Sequence, residues 1–171
     1  MRFGLSQDQQ QATRSATDIM PQAASPATKE IPYDYVAIFK LTGIRGTRLQ
    51  DVINISIEGA FVAVSIGYSF IPTDKQVAAD SSFSSRGIDF KYSIVDSGSG
   101  RELQNRSIHN IAGLGEATGR RPFRPLAKPM LFMPRSTIRI EVEEVRGDSS
   151  SNGAELFIVF HGYKMLGYGM G

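Results

Sequence analysis

The stretch RRPFRPLAKPMLFMPRSTIRIEVEEV, Arg120–Val145, decides the fold class. Its first half carries Pro122, Pro125, Pro129 and Pro134, each without an N–H and with φ fixed, so a regular helix is excluded there. The residues before those prolines are pushed towards extended backbone. In the second half Ile138, Ile140 and Val142 alternate with Arg139, Glu141 and Glu143, which is the period of a half-buried strand. After the polar loop Arg146–Gly153 comes ELFIVFHGYK, Glu155–Lys164, apolar enough at successive positions to be a strand buried on both faces. The two runs are expected to pair as a long antiparallel hairpin.

Upstream the same period recurs. Tyr33, Tyr35, Ala37, Phe39 and Leu41 fall on alternate positions, and the loop Thr42–Arg48 follows. In DVINISI, Asp51–Ile57, the isoleucines Ile53, Ile55 and Ile57 share one face. Glu58-Gly59 then predicts a tight turn back into Ala60–Phe70, so these segments are expected to form a second hairpin. Pro72–Gly87 is a long polar connection of the kind that carries function or contacts. Ile88, Phe90, Tyr92 and Ile94 alternate into another strand, closed by the turn DSGSG, Asp96–Gly100. Arg101–Ile108 is polar enough to be an edge strand, and Asn110–Gly119 predicts a glycine-rich loop. Six or seven strands without a helical period predict an all-β fold, an antiparallel β-sandwich, with the jelly roll as one form of it.

Residues 1–30 are different material. Gln, Ala, Ser, Thr and Pro dominate, with too little apolar surface to offset chain entropy. The expectation is an extended or disordered N-terminal arm over 1–30, preceding a sandwich domain over 31–171. An arm of this kind gains order on a neighbouring subunit. The 171 residues suffice for one core, and the absence of cysteine excludes a disulfide framework. A net charge of +2 is small for a dedicated nucleic-acid binder. No apolar run reaches the roughly 18 residues of a membrane helix, so neither partner is expected. MRFGLSQDQQ lacks the apolar core of a secretory signal, and a soluble, cytosolically made protein is expected.

Catalytic patterns are thin. His161 lies in an apolar strand, as a hydrogen-bonded core or strand-end residue, and His109 opens a loop at the surface. Gly115 and Gly119 are spaced wrongly for a phosphate loop, and Ser97 and Ser99 lack the first glycine of a nucleophile elbow. Asp89, Asp96, Glu102 and Glu116 are the available carboxylates, and nothing in the sequence brings two of them together. No enzyme, cofactor or metal site is expected.

The remaining signal is interfacial. Arg120, Arg121, Arg124, Lys128, Arg135 and Arg139 precede the acids Glu141, Glu143 and Glu144, and Phe123 and Phe132 lie among the cations. As a strap facing a neighbouring subunit, the arginines would clamp carboxylates and the phenylalanines fill pockets. Glu141 and Glu143 are the candidate partners for arginines of the next subunit, head to tail. Tyr168, in the glycine-rich end Gly162–Gly171, belongs to a tail expected to dock on its own core or on a partner.

The basic proline run with STIRIEVEEV, the later ELFIVFHGYKMLG and the upstream DVINISIEGAFVAVSIGYSF together resemble tailed-bacteriophage virion structural proteins, over about a third of the chain. The resemblance implies a non-enzymatic β-domain subunit of the neck, collar or tail, located in the virion and made in the host cytoplasm. Its implied partners are itself, as a homo-oligomer, and other virion proteins such as capsid, portal or tail subunits. The alternatives are a capsid decoration or cement protein and a carbohydrate-binding β-sandwich module.

Overall fold

Alternation along the chain becomes the wall of one core. In β8, Thr137–Glu144, the side chains of Ile138, Ile140 and Val142 are fully buried while Arg139 is exposed. In β4, Phe90–Asp96, Phe90, Tyr92 and Ile94 point inward. The computed structural model describes residues 29–73, 88–115, 123–147 and 151–167. Its other strands are β1, Lys29–Lys40, β2, Arg48–Asn54, β3, Gly59–Ile71, β5, Arg101–Glu102, β6, Ile108–His109, β7, Phe123–Phe132, and β9, Glu155–Leu166. The first described strand begins at Lys29, two residues before the expected Ile31. Residues 1–28, with the expected arm, lie outside the described residues.

Two antiparallel sheets pack face to face. Sheet A has the order β1-β9-β3-β7, and sheet B the order β2-β8-β4-β5, with β6 also on β4. The first strand pairs with the last, the second with the second-last, the third with β7, and β4 with β5 and β6. The chain is a double ribbon folded over at the Ser97–Gly100 turn and then rolled, which is the jelly-roll form of the sandwich.

Both expected hairpins are corrected by this topology. Asn54 pairs with Thr137 in sheet B and Gly59 with Leu166 in sheet A, so residues 55–58 cross between sheets rather than turn back. Likewise β8 lies in sheet B and β9 in sheet A. Alternation reveals that a strand has an inner face; it does not name the strand beside it. The basic run is corrected too. From Phe123 it is a ladder strand on β3, not a loose strap, since the φ of proline suits extended backbone and an edge strand needs donors on one side only.

Two buried polar side chains pin the ends. The Glu144 carboxylate accepts hydrogen bonds from the Thr42 N–H and hydroxyl, both 2.8 Å, and from the Gly43 N–H at 2.9 Å, holding the Thr42–Arg48 loop on sheet B. Asn110 donates to the Ile88 carbonyl (2.7 Å) and the Tyr68 hydroxyl (3.1 Å) and accepts from the Phe90 N–H. It opens α1, Asn110–Leu114, a five-residue helix where a loop was expected. Of Arg101–Ile108 only the ends pair in ladders. In between, the Gln104 side chain takes a strand's place by accepting the Ile94 N–H at 2.8 Å.

Candidate interaction faces

The register of sheet A decides what its outer face carries. Rows of partners across β1, β9 and β3 read Pro32–Tyr163–Val62, Asp34–His161–Ser65, Val36–Val159–Gly67 and Ile38–Phe157–Ser69. On β7 the rows are continued by Leu131, Pro125 and Phe123. Leu156, Ile158 and Phe160 occupy the inner positions of β9, so the odd-numbered residues between them turn outward. Val36, Ile38 and Leu131 are 43%, 51% and 44% exposed. The outer face is therefore largely apolar, with a polar row across its middle.

That row contains the main departure from the expectation for histidine. His161 is half exposed on the outer face, not in the core; its Nδ1 stands 2.5 Å from Asp34 Oδ1 and its ring stacks on Phe123 with centroids 4.9 Å apart. Asp34, His161 and Ser65 stand side by side, but the contacts of the imidazole are with Asp34 and Phe123. A hydrolytic triad requires the serine hydroxyl on the imidazole, and Ser65 stands in β3 beside the register shift that follows Ala63 rather than on a nucleophile turn. His109 is partly exposed, 3.7 Å from Asp89. Among the described residues no cluster of three or more His, Asp or Glu comes together to hold a metal.

The expected interface residues divide between opposite sides of the sandwich. Phe123, Arg124 and Lys128 lie on β7 at the edge of sheet A. Arg139, Glu141 and Glu143 lie on the outer face of sheet B, so the structure does not bring the acids beside the strap. Those acids are engaged within the chain. Glu143 is 3.3 Å from Arg48 and 4.0 Å from Lys91, and Glu141 is 3.6 Å from Arg139. Arg124 donates to the Ala112 carbonyl of α1. Phe132 is corrected outright: it is 2% exposed, packed on Phe61 and Phe160, because its position in β7 faces inward. Arg135 is exposed in the β7–β8 turn with φ +64°, its N–H donating to the Ile55 carbonyl. Arg120, Arg121 and Tyr168 lie outside the described residues, as does most of Pro72–Gly87. The tail docks on its own sheet as far as Leu166, as part of β9. Within it Lys164 is buried, its ammonium 3.7 Å from Glu58 and 3.7 Å above the Tyr33 ring.

Sheet B offers a different exterior. Arg48, Lys91, Arg139, Glu141 and Glu143 make a charged lattice there. Beside it lies a polar hollow of about 220 Å³ whose walls include Ser93, Glu102, Gln104, Asn105, Arg106 and Arg139.

The sheet A face was legible in β9, whose run Glu155–Lys164 is apolar at successive positions, but was missed in β1, where alternation alone stood out. The runs Val36–Phe39 and Phe157–Phe160 are apolar at both parities, the mark of strands covered on both sides.

Searches of family models and of curated proteins find no match. Among solved structures, the chain is similar to a protein from Sulfurospirillum deleyianum, at 7% identity and a TM-score of 0.39, over 77% of this chain and 98% of that one.

Proposed function

We propose that the protein is a non-enzymatic structural subunit of an assembled particle, of the kind found in tailed-phage virions at the neck, collar or tail, or as a capsid decoration. One observation carries this reading. Val36–Phe39 of β1 and Phe157–Phe160 of β9 are apolar at both parities, and among the described residues only the inner parity is fully covered, which leaves apolar side chains on the outside of sheet A. Contiguous apolar surface of this extent marks an interaction site. The jelly-roll topology is shared by capsid domains, and also by lectins and cupins, so the fold supports the reading without selecting it. The resemblance of the basic proline run and of the β2, β3 and β9 segments to phage virion proteins points the same way.

The test is the solution mass of the full chain by light scattering, with and without residues 1–28, followed by co-sedimentation with particles. A discrete oligomer, or saturable binding to a particle, is the expected result. A chain that stays monomeric and binds no particle would refute the proposal. The polar hollow on sheet B favours a second reading, a carbohydrate-binding module, which predicts that the monomer retains glycans on an array.

A further inference from the structure

We infer that the outer face of sheet A is a self-association surface, covered face to face by a second copy of this chain across a two-fold axis near His161. The inference rests on the assembly reading above and names its surface, its mode and its occupant.

The size fits. Sheet A has four strands, and β1 and β9 are each 12 residues long. At about 4.8 Å between strands and about 3.3 Å per residue, the face measures roughly 700–800 Å². A standard interface buries about 800 Å² per partner. The layout fits as well. Val36, Ile38, Val159 and Leu131 surround the middle, while Glu30, Lys40 and Glu155 stand at the strand ends. That is an apolar field around one central polar pair, with charged residues at the rim.

Edge-to-edge growth, the other way a sheet recruits a copy of itself, is hindered on both sides. At the β1 edge the Ile38 N–H, which points away from β9, is taken by the Asp51 carboxylate at 2.9 Å. Two-residue alternation puts Pro32 in the same phase, with no N–H to give. At the β7 edge Pro125 and Pro129 cannot donate, and residues 126–129 bulge out opposite Val64 alone. Hindered edges beside an open apolar face favour stacking over strand addition.

The central polar pair, joined within one chain, is self-complementary and so fits a second copy. A partner that buries this face must accommodate one cation-forming and one anionic group side by side, His161 and Asp34. In a two-fold stack the imidazole of each copy can lie over the carboxylate of the other, so the same pair answers itself. In such an isologous contact, residue i meets j while j meets i.

The experiment uses the full chain in a dilution series by analytical ultracentrifugation, as wild type and as Val159→Glu and Val36→Glu. Both positions face outward, so near-unchanged thermal unfolding of the monomer is expected. Burying a lone carboxylate in the contact should weaken dimerisation by at least about 100-fold. A chain that is monomeric throughout overturns the contact. An oligomer indifferent to both substitutions overturns it too, while leaving assembly through another surface standing. Because the chain has no cysteine, Val159→Cys gives a second, gentler test. A short bis-maleimide should join two copies through Val159→Cys but not through Val95→Cys, which faces out from sheet B. Equal cross-linking at both positions, or none at Val159→Cys, would count against the contact.

Discussion

The two exteriors of this sandwich solve the same problem in opposite ways. Sheet B meets water with alternating charge: Arg48, Lys91, Arg139, Glu141 and Glu143 neutralise one another across its strands. Sheet A meets its surroundings with Val36, Ile38, Val159 and Leu131, with one polar row among them and charges at the strand ends. Both sheets contribute apolar rows of similar kind to the shared core, so the fold does not require the difference. What differs is the outward parity, and there the sequence is free to specify a solvent or a partner.

That contrast can be tested first within a single strand. Phe132 and Leu131 are neighbours in β7, one inward and one outward. Phe132→Ala should cost about 3–5 kcal/mol of stability in chemical denaturation, the cost of a large core cavity. Leu131→Ala should change the monomer by no more than about 0.5 kcal/mol, its effect being reserved for association. Equal losses at the two positions would erase the distinction between inner and outer rows.

The inner side of sheet B supplies the next test. Burial pushes the Tyr92 hydroxyl up to about 12, against smaller lowering effects of the Arg124 charge and a hydrogen bond with Gln104. Below pH 10 the phenol is protonated in both folded and unfolded chains and contributes nothing to the pH dependence. Between about 10 and 12 the unfolded chain gives up this proton while the folded chain keeps it, so stability falls as pH rises. The loss should reach about 2–3 kcal/mol. Denaturant melts at pH 9 and at the upper end of that window should show a steeper decline for wild type than for Tyr92→Phe.

The smallest effect belongs to the charged lattice. Arg48, 78% exposed, reaches Glu143 at 3.3 Å. Arg48→Ala should cost about 0–1 kcal/mol, and salt should shrink that difference. A larger, salt-insensitive loss would mean that this exterior is not simply solvated.

The architecture was legible where alternation was clean. Ile138, Ile140 and Val142, or Phe90, Tyr92 and Ile94, announced buried strands, and the all-β class followed. Strand partnership was not legible, because a jelly roll joins most neighbours in sequence across two sheets. Nothing in Glu58-Gly59 distinguishes a hairpin turn from the end of a crossing. The proline run was correctly denied a helix, but its extended backbone was taken for a strap when β3 had a ladder for it. Among the expected interface residues, Phe132 went wrong because composition drew attention to the run while parity, unread there, buried the ring. The apolar run of β9 suggested a strand buried on both faces, but among the described residues only members of its inner parity are buried, while Phe157, Val159 and Tyr163 stay partly exposed and His161 half exposed.

The pairing of first strand with last has a consequence for what the domain can carry. Lys29 lies opposite Leu166, so the chain enters and leaves the sandwich at one corner. Cargo fused before β1 or after β9 would therefore be displayed from a single pole. A circular permutant joined at that corner and reopened in the Ser97–Gly100 turn would retain every major ladder. The Ser97–Gly100 turn lies at that same end, because Asp96 and Asn54 both reach the start of β8 while Gly59, just past the crossing at 55–58, reaches Leu166.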